Sequence, residues 1–282
     1  MLSSAALQRL AARNRVRIEL QERDYVLGWF LLGLAGTFDL HQALVFKGGT
    51  ALRKMYFPTY RFSEDLDFTL LEPLGPGQLR SGVDAICGRV QSESGVEMWS
   101  AHWRQTRDVA GEEAYRVRVA YVGPLGRRGP EPPRITLDLT RYELLVLPAT
   151  ARPVSHLYPD GPQENRLVLT YRLEEMLAEK LRAMLRRCYP RDVYDVWFLL
   201  KNHDQELDPR QLLRALEAKC HYKHYTFSSA EDFLAPARRV GMAEAWDASL
   251  RHLVASPPAY ERVLEELEEL LPLWMERDRH GQ

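Results

Sequence analysis

The sequence predicts an α/β fold, a mixed-sheet core followed by a mostly helical C-terminal domain. Three observations carry that prediction. Segments 65–70, 115–122 and 134–140 alternate apolar and polar residues with the period of a half-buried strand. A glycine pair at Gly48-Gly49 separates a short apolar run from a helix-forming one. Beyond residue 166 the apolar side chains recur at helical spacing.

Taken in order, residues 1–40 read as two helices. Ala5 to Ala12 is rich in helix formers, and Tyr25, Val26, Trp29, Phe30, Leu32 and Leu34 spread apolar surface so widely that the second helix is expected to be well buried. Ala43 to Phe46 reads as a strand, Gly48-Gly49 as a turn, and Thr50 with ALRKMY as the start of a helix. In DLDFTL, Leu66, Phe68 and Leu70 take one face and the acids the other. Tyr115 to Val122 and Arg134 to Thr140 repeat the alternation, the latter with Ile135, Leu137 and Leu139 inward. Between them GPLGRRGPEPPR reads as an exposed basic loop.

Pro148, Pro153, Pro159 and Pro162 follow without either periodicity, which places a linker at 148–166 between a core of residues 1–147 and a helical domain of residues 167–282. In that domain Leu173, Met176, Leu177, Leu181, Met184 and Leu185 form one helical stripe, Pro190 opens a second helix, and Tyr260 to Met275 forms a last, acidic one.

Composition narrows the function classes. The 282 residues are 45% hydrophobic and 27% charged, the mix of a globular protein. Lys+Arg number 38 against 39 Asp+Glu, so bulk charge does not draw this chain to nucleic acid or membrane, and any such contact is local. The most apolar stretch, Tyr25 to Ala35, is about half the ~20 residues that cross a bilayer. No basic segment followed by a cleavable apolar run opens the chain, so a cytoplasmic protein is expected. Cys87, Cys188 and Cys220 are odd in number and lie outside any CxxC, which reads as free thiols.

The chemistry-bearing constellation is Gly48-Gly49-Thr50 followed by Asp65-x-Asp67. Residues i and i+2 of a strand point the same way, about 6.6–6.8 Å apart, so both carboxylates converge on a hard cation, which suits Mg2+ with Mn2+ as the alternative. A glycine turn opening a helix presents unhindered backbone N–H groups and a helix N-terminus to a phosphate, and the Thr50 hydroxyl adds a donor. Asp138, between inward-facing Leu137 and Leu139, projects to the polar face as a third carboxylate; the alternative is an exposed acid paired with Arg118 or Arg141. Lys180 is a charge on an otherwise apolar stripe, either snorkelling to water or reaching a phosphate or carboxylate. Near the start of the helix opened by Pro190, Asp195 reads as an acid that interacts with the helix N-terminus or with Arg191 four residues back, a role that Asp192 fits better. Arg61 is read as a surface ion pair or a phosphate contact.

KGGTALRKMY followed by RFSEDLDF resembles the nucleotidyltransferase motif of the AbiEii/AbiGii toxin family, which includes the mycobacterial MenT group within the polymerase-beta-like superfamily. EEMLAEKLRAMLRR and PRDVYDVWFL are similar to the family's second block, and the resemblance spans about residues 22 to 200. It implies a polymerase-beta-like nucleotidyltransferase core in which Lys47, Gly48, Gly49, Thr50 and Ser63 bind an NTP. It also implies that Asp65 and Asp67 hold the metal and that Lys180 and Asp195 complete the site; Asp138 joins the metal ligands on the strand alternation alone. The implied reaction moves a nucleoside monophosphate to the 3′ end of tRNA and stops translation, and the implied partner is a cognate antitoxin. DNA and membrane partners are not expected. The alternatives are nucleotidylation of a protein or small-molecule hydroxyl, and a nucleotide-binding module without turnover.

Two further segments bear on partners. Residues 180–240 carry an excess of four positive charges, and CHYKHYTF at 220–227 interleaves bases with aromatics, a pattern that either binds RNA or is ordinary part-buried surface. Glu261 to Glu276 is strongly acidic, either a solvated helix face or a surface for a basic protein.

Overall fold

The computed structural model describes residues 1–72, 74–107, 113–141 and 143–276. Its elements run α1 (Ser4–Asn14), α2 (Ile18–Ala35), α3 (Phe38–His41), β1 (Leu44–Lys47), α4 (Gly48–Ala51) continuing as a π-helical turn (Leu52–Tyr56), β2 (Asp65–Leu70), α5 (Pro76–Ser94), β3 (Glu97–Arg107), β4 (Glu113–Val122), β5 (Arg134–Thr140), β6 (Thr150–Pro153), β7 (Leu167–Thr170), α6 (Leu173–Arg186), α7 (Pro190–Asn202), α8 (Pro209–Tyr222), α9 (Glu231–Ala237), α10 (Met242–Leu250) and α11 (Tyr260–Glu276). The chain forms two compact units, one of residues Met1–Glu143 with Ala149–Thr170, the other of Leu144–Pro148 with Tyr171–Gln282.

The first unit is built on a seven-stranded mixed sheet in the order β3-β4-β5-β2-β1-β7-β6. β2 runs parallel to β5 and antiparallel to β1, and β1 runs parallel to β7. Strand alternation decides what each face carries. Leu66, Phe68, Val117, Val119, Ile135, Leu137 and Leu139 are buried on one face, where α2 and α5 pack. The polar residues of β2, β4 and β5 take the other.

α2 is the buried helix the sequence predicts, yet it also buries Gln21, Glu22 and Asp24. Asp24 accepts from Arg53 Nε at 2.8 Å and Lys54 Nζ at 2.9 Å, so the π-helical turn is fastened to α2 by a buried ion cluster. Burial pushes the Asp24 pKa up, and the charges of Lys54 and Arg53 outweigh it, holding the carboxyl well below its ordinary range.

Segment 148–166 behaves differently from the expected linker. Thr150–Pro153 is an edge strand paired with β7, where a terminal proline removes no needed ladder donor. Tyr158 is buried, and its hydroxyl donates to Asp24 at 2.7 Å while accepting from Gln21. Prolines hide this strand from periodicity, and Tyr158 beyond it is anchored by residues more than a hundred positions away. α5 and β3 carry no motif in the sequence, and β3 is further masked by a bulge between Ser100 and His102.

The second unit is helical. Glu175 of α6 accepts from the backbone N–H groups of Val146 and Leu147 and faces Lys219 Nζ of α8 at 2.7 Å; Lys219 also donates to the Leu144 carbonyl. These bonds explain why 144–148 belongs to this unit. α11 buries Val263, Leu267, Leu271 and Trp274, and its acids are partly matched internally: Glu266 pairs with Lys201 and Glu268 with Arg238. Cys87, Cys188 and Cys220 are buried free thiols. Among the described residues no helix is long and apolar enough to cross a membrane.

Candidate active site

The strand–turn–helix–strand unit read from the sequence is assembled in the first unit. Gly48 follows β1 with φ +82°, a left-handed conformation that favours glycine, and a Cβ there would collide with Asp67 Oδ2. The turn therefore lays bare backbone directly against the Asp67 carboxylate. At Gly49 an added Cβ would meet Arg61 Nη2 at 2.6 Å and Ser63 Oγ at 3.3 Å. The paired glycines thus touch Asp67 on one side and Arg61 with Ser63 on the other. Thr50 donates its hydroxyl to the Asp65 carbonyl, fixing the start of β2, so that proton is not aimed at a ligand. What α4 offers an anion is the backbone N–H groups of its first turn, which have no intrahelical acceptors.

Cross-strand register places the remaining groups. Asp67 lies opposite Lys47 on β1 and Asp138 on β5, and Asp65 lies opposite Thr136. All three acids thus share one face. Lys47 is 8% exposed and its Nζ stands 3.9 Å from Glu143, an acid the sequence pattern does not single out. Asp138 does not pair with Arg118 or Arg141. Antiparallel register sets Arg116 opposite it, and Arg116 donates to both of its oxygens, at 2.7 and 3.0 Å; Arg141 pairs with Glu113. The Arg116 pKa is raised first by the bond to Asp138 and then by the charges of Asp138, Asp65 and Asp67. Four charged groups therefore act on one another at this spot.

The donor set fits a hard divalent ion in part. Asp65 and Asp67 supply oxygens on one strand face beside the Gly48 backbone, as Mg2+ requires. Among the described residues no group of three or more His, Cys, Asp or Glu side chains is arranged to hold a metal, and Arg116 occupies Asp138. The fit therefore rests on the Asp65 and Asp67 pair.

Arg61 is not a surface residue. It is 5% exposed, stacks 5.4 Å over the Tyr60 ring and donates to the Phe62 carbonyl at 3.1 Å. Its nearness to Gly49 comes from the fold of segment 57–63, which carries no period to reveal it.

Lys180 and Asp195 lie in the second unit. Lys180 Nζ sits 2.9 Å from both Asp192 Oδ1 and Asp195 Oδ2, and Arg187 Nε stands 3.3 Å from the other Asp192 oxygen. Asp192 therefore does more than start α7: three residues apart on one helix face, both acids hold the same ammonium. The charge on the apolar stripe of α6 is explained by this cluster, not by snorkelling. The local basic excess is similarly used up in places, since Lys219 is fully buried between Glu175 and Glu179. In CHYKHYTF, Lys223 Nζ lies 5.0 Å over the Tyr222 ring.

A mixed sheet that sets an acid pair against a glycine turn opening a helix suits a metal-bound nucleotide phosphate, and the family match below makes the class that of nucleotidyltransferases. The profile described as the nucleotidyl transferase AbiEii toxin of type IV toxin–antitoxin systems matches residues 29–271, and the chain belongs to this family. It is thereby a nucleotidyltransferase toxin of a type whose partner is an antitoxin. Among solved structures it is similar to MenT4, a nucleotidyltransferase toxin from Mycobacterium tuberculosis H37Rv, with 22% identity, a TM-score of 0.64, and 99% of this chain and 97% of that one covered. At that identity the likeness establishes the fold. No curated protein matches the sequence.

Proposed function

We propose that the protein transfers a nucleoside monophosphate from an NTP to the 3′ hydroxyl of tRNA in the cytoplasm, so that the extended acceptor end cannot be aminoacylated and translation stops. The observation that carries the reading is the contact of the Gly48 backbone with Asp67 while Asp65 shares its face. A phosphate seated on the turn would lie beside the acid pair. The RNA acceptor and its consequence for translation come from the family resemblance.

In the reaction the 3′ oxygen bonds to the α-phosphorus, the bond from that phosphorus to the β-phosphate bridging oxygen breaks, pyrophosphate leaves, and the hydroxyl proton passes to a carboxylate. Asp65 and Asp67 would hold Mg2+ or Mn2+, which when bound neutralises phosphate charge and lowers the pKa of a bound hydroxyl. Gly48, Gly49 and the first turn of α4 seat the triphosphate, with Lys47 and Arg61 adding positive charge and Ser63 a hydroxyl. The family resemblance assigns Lys180 to balance developing charge on the phosphate; within its own unit Asp195 with Asp192 fixes its ammonium.

The test is to incubate purified protein and Mg2+ with total RNA and total protein and each labelled NTP in turn. Label on tRNA that is lost in Asp65→Ala supports the reading; label on protein alone overturns the acceptor, and label on RNA that persists in Asp65→Ala overturns the site. Gly48→Ala is expected to cost about 10²-fold in turnover, because the new methyl displaces Asp67 from the turn. Circular dichroism should show the fold retained. Lys180→Ala should lower turnover by roughly 10²–10³-fold, with Lys180→Arg recovering part of it, measured as kcat at saturating NTP.

A further inference from the structure

The sheet face that carries Asp65 and Asp67 continues past them onto β4 and β3, and its chemistry changes sign. Register gives three successive rows. One runs Lys47, Asp67, Asp138, Arg116, Arg104; the next Asp65, Thr136, Arg118, His102; the last Arg134, Ala120, Trp99. Facing residues in a ladder lie on the same side, so Arg104, Arg116, Arg118, His102 and Trp99 share the outer face with the acid pair. This flank is open. The Arg116 side chain is 51% exposed, Trp99 is 42% exposed, and Arg104, Arg118 and His102 are exposed.

Among the described residues Arg104 and Arg118 have no ion-pair partner, unlike Arg127 and Arg128 of the neighbouring loop, which are taken by Glu22 and Glu97. Arg104 and Arg116 also line an open cleft of about 700 Å³ together with Gln105, Thr106 and Glu113. On the opposite side of the acids the row ends at Lys47, which is buried.

We infer that this β3–β4 face is where the acceptor RNA lies, its phosphates on Arg104 and Arg118 and an unpaired base stacked on Trp99. The inference rests on the RNA reading of the site and adds the surface that holds the polymer. A polymer whose end reacts at Asp65 and Asp67 must cross a neighbouring surface. Strands spaced about 4.8 Å apart put Arg104 three spacings from Asp67, roughly 14 Å, a reach of several nucleotides. Fixed guanidinium groups neutralise phosphates, and an exposed indole stacks any base. A basic face with an aromatic at one end suits unpaired RNA better than an acidic peptide, because every nucleotide brings both a phosphate and a stackable base, whereas carboxylate side chains leave the indole unused.

The experiment measures binding of fluorescent tRNA across a range of KCl concentrations, comparing the wild type, Arg104→Gln/Arg118→Gln, and Trp99→Ala. For a single-stranded segment, every phosphate that the protein no longer neutralises flattens the slope of log K against log salt by about 0.7, so the double variant should be shallower by about 1.4. Trp99→Ala should weaken binding of RNA with an unpaired 3′ end about ten-fold and leave a blunt duplex unaffected. KM for NTP and transfer to a dinucleotide acceptor should not move.

An unchanged slope in the double variant, while the wild type still labels tRNA, overturns the docking face and leaves the proposed reaction standing. Wild-type label on protein alone overturns both. Fluorescent poly-L-glutamate bound as tightly as RNA, and lost equally in the double variant, would assign the face to an acidic protein and overturn the inference.

Discussion

Replacing Asp65 or Asp67 by alanine is expected to lower nucleotide transfer by about 10³-fold or more, the scale of several kcal/mol of charge stabilisation that a metal held by them would supply. The two substitutions should be nearly as severe singly as together, because groups that act as one unit do not add. Asp65 is exposed at the start of β2 and Asp67 half-buried, so melting should change little. Asp138→Asn separates two states of the site. With Arg116 holding both Asp138 oxygens, the carboxylate serves to position Arg116, and the expected loss is about ten-fold. A loss equal to that of Asp67→Ala would mean that Arg116 releases Asp138 when nucleotide and metal bind. The measurement is initial rate of label transfer at fixed RNA, with Mg2+ varied so that a raised metal requirement is distinguished from a lowered kcat.

What the sequence reveals of this site is what lies close in the chain. A strand of strict alternation shows which way Asp65 and Asp67 point, and a glycine pair between a strand and a helix shows a turn. Both are local, and both are found in the structure. Arg116 and Glu143 escape notice, and the burial of Arg61 beside Gly49 is not foreseen, because each reaches its neighbour through register or a loop. Asp138 illustrates the limit: alternation places it on the polar face, yet only the antiparallel offset of β4 against β5 selects Arg116 over Arg118 as its partner. Asp192 and Asp195 are separable in the sequence by distance from the helix start, but a three-residue spacing on a helix gives both the same neighbour, Lys180. The proline-rich stretch misleads in the opposite direction. Its irregular pattern reads as a linker, whereas Thr150–Pro153 closes a sheet edge and Tyr158 is bonded into the core.

Asp24→Asn is expected to produce the largest loss of stability, about 3–5 kcal/mol, because it removes one partner of a buried ion cluster and leaves Arg53 and Lys54 without their counter-charge. Wild type and variant should then respond to pH with different profiles. In the wild type the folded Asp24 pKa is depressed, so its stabilisation is full above the ordinary carboxylate value and falls away as the solution becomes more acidic than that. In the variant the dominant group is Lys54. Burial already pushes its pKa down, Asp24 opposes that, and Arg53 adds to it, so deleting the carboxylate depresses the folded value further. The unfolded chain then binds the extra proton, and stability must rise with pH until the ordinary lysine range is passed. Urea unfolding followed at several pH values between about 3 and 10 reads both profiles. A variant whose stability is flat from about pH 5 to 10 would show that Lys54 reaches water when Asp24 is lost, and that the π-helical turn behind the glycine pair is held by packing, not by charge.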